Sequence, residues 1–308
     1  MDNILKYLVN KKVVNENAKI NKLNKGGSGA NLFEINCSGG DYILKHYDTE
    51  AILKLGEKEY TFYNISNNFD LKYLPEVIFT EKHEDMGIII VLKKYKDIDV
   101  AEWDLARQQT AADIIAQIHS KSDFFIKQLN IKNEPFVPPL TEELKKAYAD
   151  WDSVLNKHNI NRAIFEDINK HFSYVIDFMR THRNTFLHGD FFPDNCEVDK
   201  NNEMLLIDWQ NCQLGSKAEI AFFIIIGHDW GINIYENEIK KHYCERLSYY
   251  TGNSISTFEL DMECNMTTIF VTYLHWANYL QDSGIERVKA IFGKMIDSYE
   301  WLRANNCF

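Results

Sequence analysis

Ten residues, FLHGDFFPDN at 186–195, bring together a histidine, two aspartates and an asparagine, with Pro193 cutting the apolar pattern. Asp190 offers a carboxylate that can face a substrate hydroxyl and accept its proton. Five positions on, Asn195 offers a carboxamide oxygen that can reach a metal without adding charge. Pro193 stiffens the turn between them and Gly189 permits a tight approach. Thirteen residues after Asn195, Asp208 closes the apolar run of EMLLIDWQN. An aspartate directly after a buried strand is displayed at the strand end, so Asn195 and Asp208 would supply hard oxygen ligands to Mg2+. Taken singly, each of these residues reads as a cap or turn former, because Asp and Asn satisfy nearby backbone donors. His188 reads as a packed loop residue holding the turn, and Asp194 as solvent-facing.

Elements that must position these groups can be traced along the chain. Over the first hundred residues the pattern is mostly strand and turn with one helix: LNKGGSGANLFEIN enters a strand from a glycine turn, while GDYILKHY and MGIIIVLKKY read as two more strands. Between the last two, AILKLGEKEYTFYNIS has helical spacing. Beyond residue 96 the character turns helical, in WDLARQQTAADIIAQIHS, TEELKKAYADWDSVL, IFEDINKHFSYVIDFMR and VKAIFGKMIDSYEWLR, with a break at Pro135, Pro138 and Pro139. IAFFIIIG reads as a buried helix or strand segment. The expected fold is α+β, with a sheet-rich lobe over 1–95 and a larger helical lobe over 96–308.

HGDFFPDN followed by LLIDWQN resembles the catalytic loop and metal-binding aspartate of the aminoglycoside phosphotransferase and choline kinase superfamily, small-molecule relatives of the protein kinases. The matching positions are His188, Gly189, Asp190, Asn195 and Asp208. The resemblance implies a bilobal kinase-like fold that binds ATP, with Asp190 as catalytic base and Asn195 and Asp208 on Mg2+. It further implies that Lys45, inside the strand YILKHY, steadies the nucleotide phosphates and is oriented by a glutamate of the following helix. Glu59 fits that role best and Glu57 competes; two residues apart, they occupy different helix faces. KGGSGANLF would be the turn over the phosphates through Gly27, Ser28 and Gly29, although Leu32 stands where the protein-kinase pattern has its third glycine. A hinge at 91–95 would contact adenine through Leu92 and Lys93, and Glu219 would stabilise the helical lobe.

Composition narrows the partners. With 45 acidic against 34 basic side chains, a formal charge of −11 and no basic stripe, a nucleic-acid groove is excluded as an expectation. No run is long and apolar enough to span a bilayer, and six scattered cysteines without a CxxC fit a reduced, cytoplasmic chain. No histidine spacing of the HExxH kind points to zinc. The expected activity is transfer of the γ-phosphoryl group of ATP to a hydroxyl of a small molecule, an amino alcohol or aminoglycoside if the acceptor is cationic. Of the aromatics in the final third, Trp230, Tyr235, Tyr243, Tyr249, Tyr250, Tyr273, Trp276 and Tyr279, core packing accounts for most, while a minority facing the cleft could hold an ammonium group with Asp229 or another nearby acid adding charge attraction. Two other classes remain: a nucleotide-binding protein without turnover, and a magnesium-dependent phosphohydrolase using the same acids.

Overall fold

A computed structural model describes the chain apart from residues 1, 24–28, 67–70 and 133–134. Helix α1 (Asp2–Asn10) buries Ile4 and Leu8, one turn apart. Strands β1 (Lys19–Lys22), β2 (Asn31–Cys37) and β3 (Gly40–Tyr47) follow, then helix α2 (Glu50–Ser66) and strands β4 (Val77–His83) and β5 (Gly87–Lys93). These five strands form an antiparallel sheet in the order β1-β2-β3-β5-β4. The run Ile88 to Val91 is buried throughout because β5 is an inner strand covered on both faces. Phe33, Ile35, Leu44, Ile89 and Val91 pack with α1. Strand alternation sends Lys45 and Tyr47 to the opposite face, where α2 packs. The sequence pattern anticipates one helix in this region and the structure has two. At nine residues α1 is too short for its periodicity to decide the matter, and packing against the sheet supplies its stability.

The chain continues through strand β6 (Lys96–Asp97), helices α3 (Leu105–Ser120), α4 (Ser122–Gln128), α5 (Thr141–Lys157) and α6 (Ala163–Thr181), and strand β7 (Thr185–Leu187). A hairpin of β8 (Cys196–Val198) and β9 (Met204–Leu206) precedes β10 (Gln213–Gly215), which pairs with β7. Helices α7 (Ile220–Asp229), α8 (Glu236–Thr251), α9 (Thr257–Val271), a π-helical turn at Thr272–Trp276, α10 (Ala277–Leu280) and α11 (Ile285–Ala304) complete the fold. The apolar segment IAFFIIIG thus becomes helix α7.

Packing separates the chain into two units, one of 1–98 with 194–212 and one of 99–193 with 213–308. The sequence pattern assigns everything after residue 95 to the helical lobe; 194–212 instead packs with the first unit. β8 pairs with β6, the Leu206 amide donates to the Tyr73 carbonyl at 2.8 Å, and the Trp209 ring stacks on Phe62 with centroids 3.9 Å apart. In the second unit α3 packs along α8, and Trp151, Phe165, Phe172, Phe292 and Met295 form the core among α5, α6, α9 and α11. Among the described residues no helix is long and apolar enough to cross a membrane. All six cysteines carry free thiols.

Candidate active site

In the first unit, Lys45 is 5% exposed and its ammonium lies 2.8 and 2.9 Å from the two oxygens of Glu59 and 2.7 Å from Asp208 Oδ1. Of the two candidate glutamates, Glu59 is therefore the partner; Glu57 is on the solvent side, paired with Lys82. Gly56 makes the approach possible: a Cβ there would meet the Tyr47 ring at 2.5 Å, so only glycine lets α2 lie this close to β3. The Glu59 carboxylate also accepts from the Tyr47 hydroxyl and, at 3.2 Å, from the Trp209 amide. A fully buried carboxylate with this many donors is satisfied, which offsets the cost of removing it from water. Burial by itself would lower the Lys45 pKa, but Asp208 and Glu59 outweigh it and the net displacement is upward. Burial raises the Glu59 pKa, and Lys45 opposes that rise.

Asp208 follows β9 with φ of +65°, a left-handed conformation uncommon outside glycine and tolerated by Asp and Asn. Asn195 immediately precedes β8, Cys196 pairs with Leu206, and the Ile207 amide donates to the Asn195 carbonyl at 2.9 Å. The hairpin therefore holds positions 195 and 208 at one end. Its donor set, a carboxylate and a carboxamide, fits magnesium, which commonly takes one or two hard protein oxygens and completes its shell with phosphate and water. Asp208 Oδ1 carries the Lys45 contact; among the described residues Oδ2 has no donor. Among those residues no three His, Cys, Asp or Glu side chains gather as an all-protein cage.

Asp190 belongs to the second unit. Its amide donates to His188 Nδ1 at 3.2 Å, and His188 is fully buried, so the histidine holds the turn as its sequence context suggests. Glu219, also buried, accepts from two consecutive backbone amides, His188 at 3.0 Å and Gly189, and lies 3.2 Å from His119 Nε2. It thereby fixes the backbone just before Asp190. His119 in turn has its Nδ1 2.7 Å from the Tyr243 hydroxyl.

Asp190 also lines a cavity of about 420 Å3 walled by Phe192, Phe222, Trp230, Trp276 and Tyr279. The π-helical turn shapes one side of it, contributing His275 and Trp276. Trp151 Nε1 donates to the Thr272 and Tyr273 carbonyls of this turn, at 3.2 and 3.1 Å. Of the late aromatics, Trp230, Trp276 and Tyr279 line the cavity, whereas Tyr243 and Tyr273 are core residues and the Tyr250 hydroxyl donates to Asp113. Asp229 is there too, but Arg287 grips both its oxygens at 2.7 Å.

The remaining expected contacts are distributed unevenly. Gly27 and Ser28 lie outside the described residues; Gly29 is described, with φ of +83° and an ideal Cβ position 2.8 Å from Ile52. Leu92 and Lys93 end β5 in the sheet, and the Lys93 amide is committed to the Glu76 carbonyl at 3.0 Å. Sequence reading missed Tyr47, Trp209 and His119. Tyr47 was accessible as the residue two after Lys45 on the same strand face, whereas the other two acquire their roles only through contacts about 150 and 100 positions away.

The sequence profile described as the phosphotransferase enzyme family matches residues 19–236. No curated protein sequence matches the chain. Among solved structures, a choline kinase from Streptococcus pneumoniae superposes with a TM-score of 0.56 at 13% identity, covering 99% of each chain. An ethanolamine kinase from Plasmodium vivax gives 0.58 at 14% identity, over 96% of this chain and 87% of that one. A spectinomycin phosphotransferase bound to ADP and spectinomycin gives 0.61 at 13% identity, over 96% and 93%. At these identities the likeness establishes the fold, a bilobal protein-kinase-like α+β architecture.

Proposed function

The chain belongs to the phosphotransferase enzyme family, and from that premise we propose that it moves the γ-phosphoryl group of ATP to a hydroxyl of a small amine-bearing molecule, an amino alcohol or an aminoglycoside. The observation that carries this reading is the buried Lys45 ammonium held between Glu59 and Asp208, with Asn195 at the same hairpin end. Lys45 steadies the α- and β-phosphates, and Glu59 keeps its ammonium in place. Asn195 and Asp208 hold Mg2+, which when bound neutralises charge on the phosphates. Asp190 orients the acceptor hydroxyl and takes its proton as the new P–O bond forms and ADP leaves. Glu219 and His188 act as positioning residues for Asp190, supported by their bonds to the 188–190 backbone. The cavity beside Asp190 is the acceptor site, with its aromatic walls suited to an ammonium group.

An ATP-consumption screen over amino alcohols, aminoglycosides and sugars, with product masses measured, tests this. A mass gain of one phosphoryl group on an acceptor is the expected result. ATP binding with no transfer to any acceptor would identify a binding protein, and phosphate release from phosphorylated substrates without ATP would identify a phosphohydrolase.

A further inference from the structure

We propose that the cavity enclosed by α7, α8, α9 and α11 is a second small-molecule site, separate from the one beside Asp190, and that it takes a hydroxylated ring bearing one ammonium group, a compound of the size of an amino sugar. The cavity holds about 360 Å3, toward the lower end of the roughly 300–1,000 Å3 usual for small-ligand pockets. Helix α7 stands between the two cavities: Ala221 and Ile224 line this one, Phe222 and Asp229 the other, and Ile225 borders both. Positions 261, 264, 265 and 268 of α9, and 294, 297, 298 and 301 of α11, recur at helical spacing, so each helix turns one stripe toward the cavity. A stripe facing neighbouring helices is ordinarily apolar, but six of these eight positions are Asp, Asn, Thr, Lys or Ser. Two of them are buried hydroxyls: Thr268 is 8% exposed and Ser298 6%, and neither side chain has a hydrogen-bond partner among the described residues. A buried hydroxyl left unpaired is costly, and each can donate one bond and accept others, which a ligand hydroxyl can answer.

The charge of the ligand follows from the wall. Glu236 pairs with Lys240 at 2.9 Å and with Lys294 at 3.3 Å, and Lys240 also meets Asp261 at 3.0 Å. Asp297 is ion-paired with none of the described residues. Cys264 adds no charge, because burial raises its thiol pKa, and His228, which senses Lys294 and Glu236, is neutral at pH 7 because burial lowers its own. Two lysines against three carboxylates leave one negative charge, which one ammonium balances. The Trp301 ring on the same wall offers a flat face to the carbon skeleton of a ring.

Isothermal titration of the full chain without ATP reads this directly, with D-glucosamine as the probe and D-glucose and N-acetyl-D-glucosamine as uncharged controls. Glucosamine is expected to bind about tenfold more tightly than either control. The double variant Thr268→Val, Ser298→Ala, which removes both hydroxyls with little change of shape, is expected to weaken glucosamine about tenfold, and Asp297→Asn to bring it down to the affinity of glucose. Glucosamine binding unchanged in the double variant, or no saturable binding at millimolar concentration, overturns the inference. So does binding lost in Tyr279→Ala and kept in the double variant, which would place glucosamine beside Asp190. If the double variant does not fold, the exposed Asp297 serves alone, and a glucosamine-to-glucose ratio unaltered by Asp297→Asn overturns the inference.

Discussion

At the scale of single residues, Lys45 is the counter-ion of two carboxylates, Glu59 and Asp208. Lys45→Met leaves both acids without it, and a loss of about 3–5 kcal/mol in unfolding free energy is expected from urea melts. The pH dependence has a definite sign. Because the folded-state pKa of Lys45 is raised, its contribution is complete below the unfolded value of about 10.4 and fades only as the pH climbs through the higher folded value. The stability difference between wild type and Lys45→Met, as far as Lys45 determines it, should therefore stay level from pH 6 to 9. Asp190→Asn should reduce kcat by roughly 10²- to 10⁴-fold while ATP still binds, as judged by titration calorimetry. Near-wild-type turnover by that variant would remove Asp190 from the role of base.

At the scale of elements, close packing of α2 on β3 brings Glu59 to Lys45, and the contact depends on a missing side chain at Gly56. Gly56→Ala forces the helix away from Tyr47 and is expected to cost about 1–3 kcal/mol and weaken ATP binding together. A melt shifted without any change in nucleotide affinity would separate the two effects. Glu219→Gln tests the backbone clamp before Asp190: the amide keeps the size but loses the charge that draws two N–H groups. A fall in kcat with KM for ATP unchanged is expected, whereas a purely structural role would show in the melting temperature alone. Helices with clear period, such as α2 and α6, were legible in the sequence because one buried face repeats along them. The apolar run before Asp208 was likewise readable as strand β9, whereas α1 and β8 are too short for a period to emerge and their positions depend on partners distant in the chain.

At the scale of the whole molecule, the first unit is built from two separated stretches, 1–98 and 194–212. A fragment ending at residue 98 lacks Asp208, the Trp209 amide on Glu59 and the Trp209 ring on Phe62. It should show neither the cooperative melt nor the nucleotide binding of the full chain, and a stable ATP-binding fragment would contradict that. The loop 186–195 and Asp208 were recognisable because their residue types are unusual at that spacing. Which unit each joins was not, since the division at Pro193 and Asp194 follows from pairing and stacking that no local pattern records. The Trp209 ring, buried and nearly parallel to Phe62 at 11°, has a further consequence. Its indole shares a rigid, dry environment with the helix that carries Glu59. A red shift of its emission would therefore report departure of α2 from the hairpin, giving the molecule a built-in optical gauge of whether the lysine cluster is assembled.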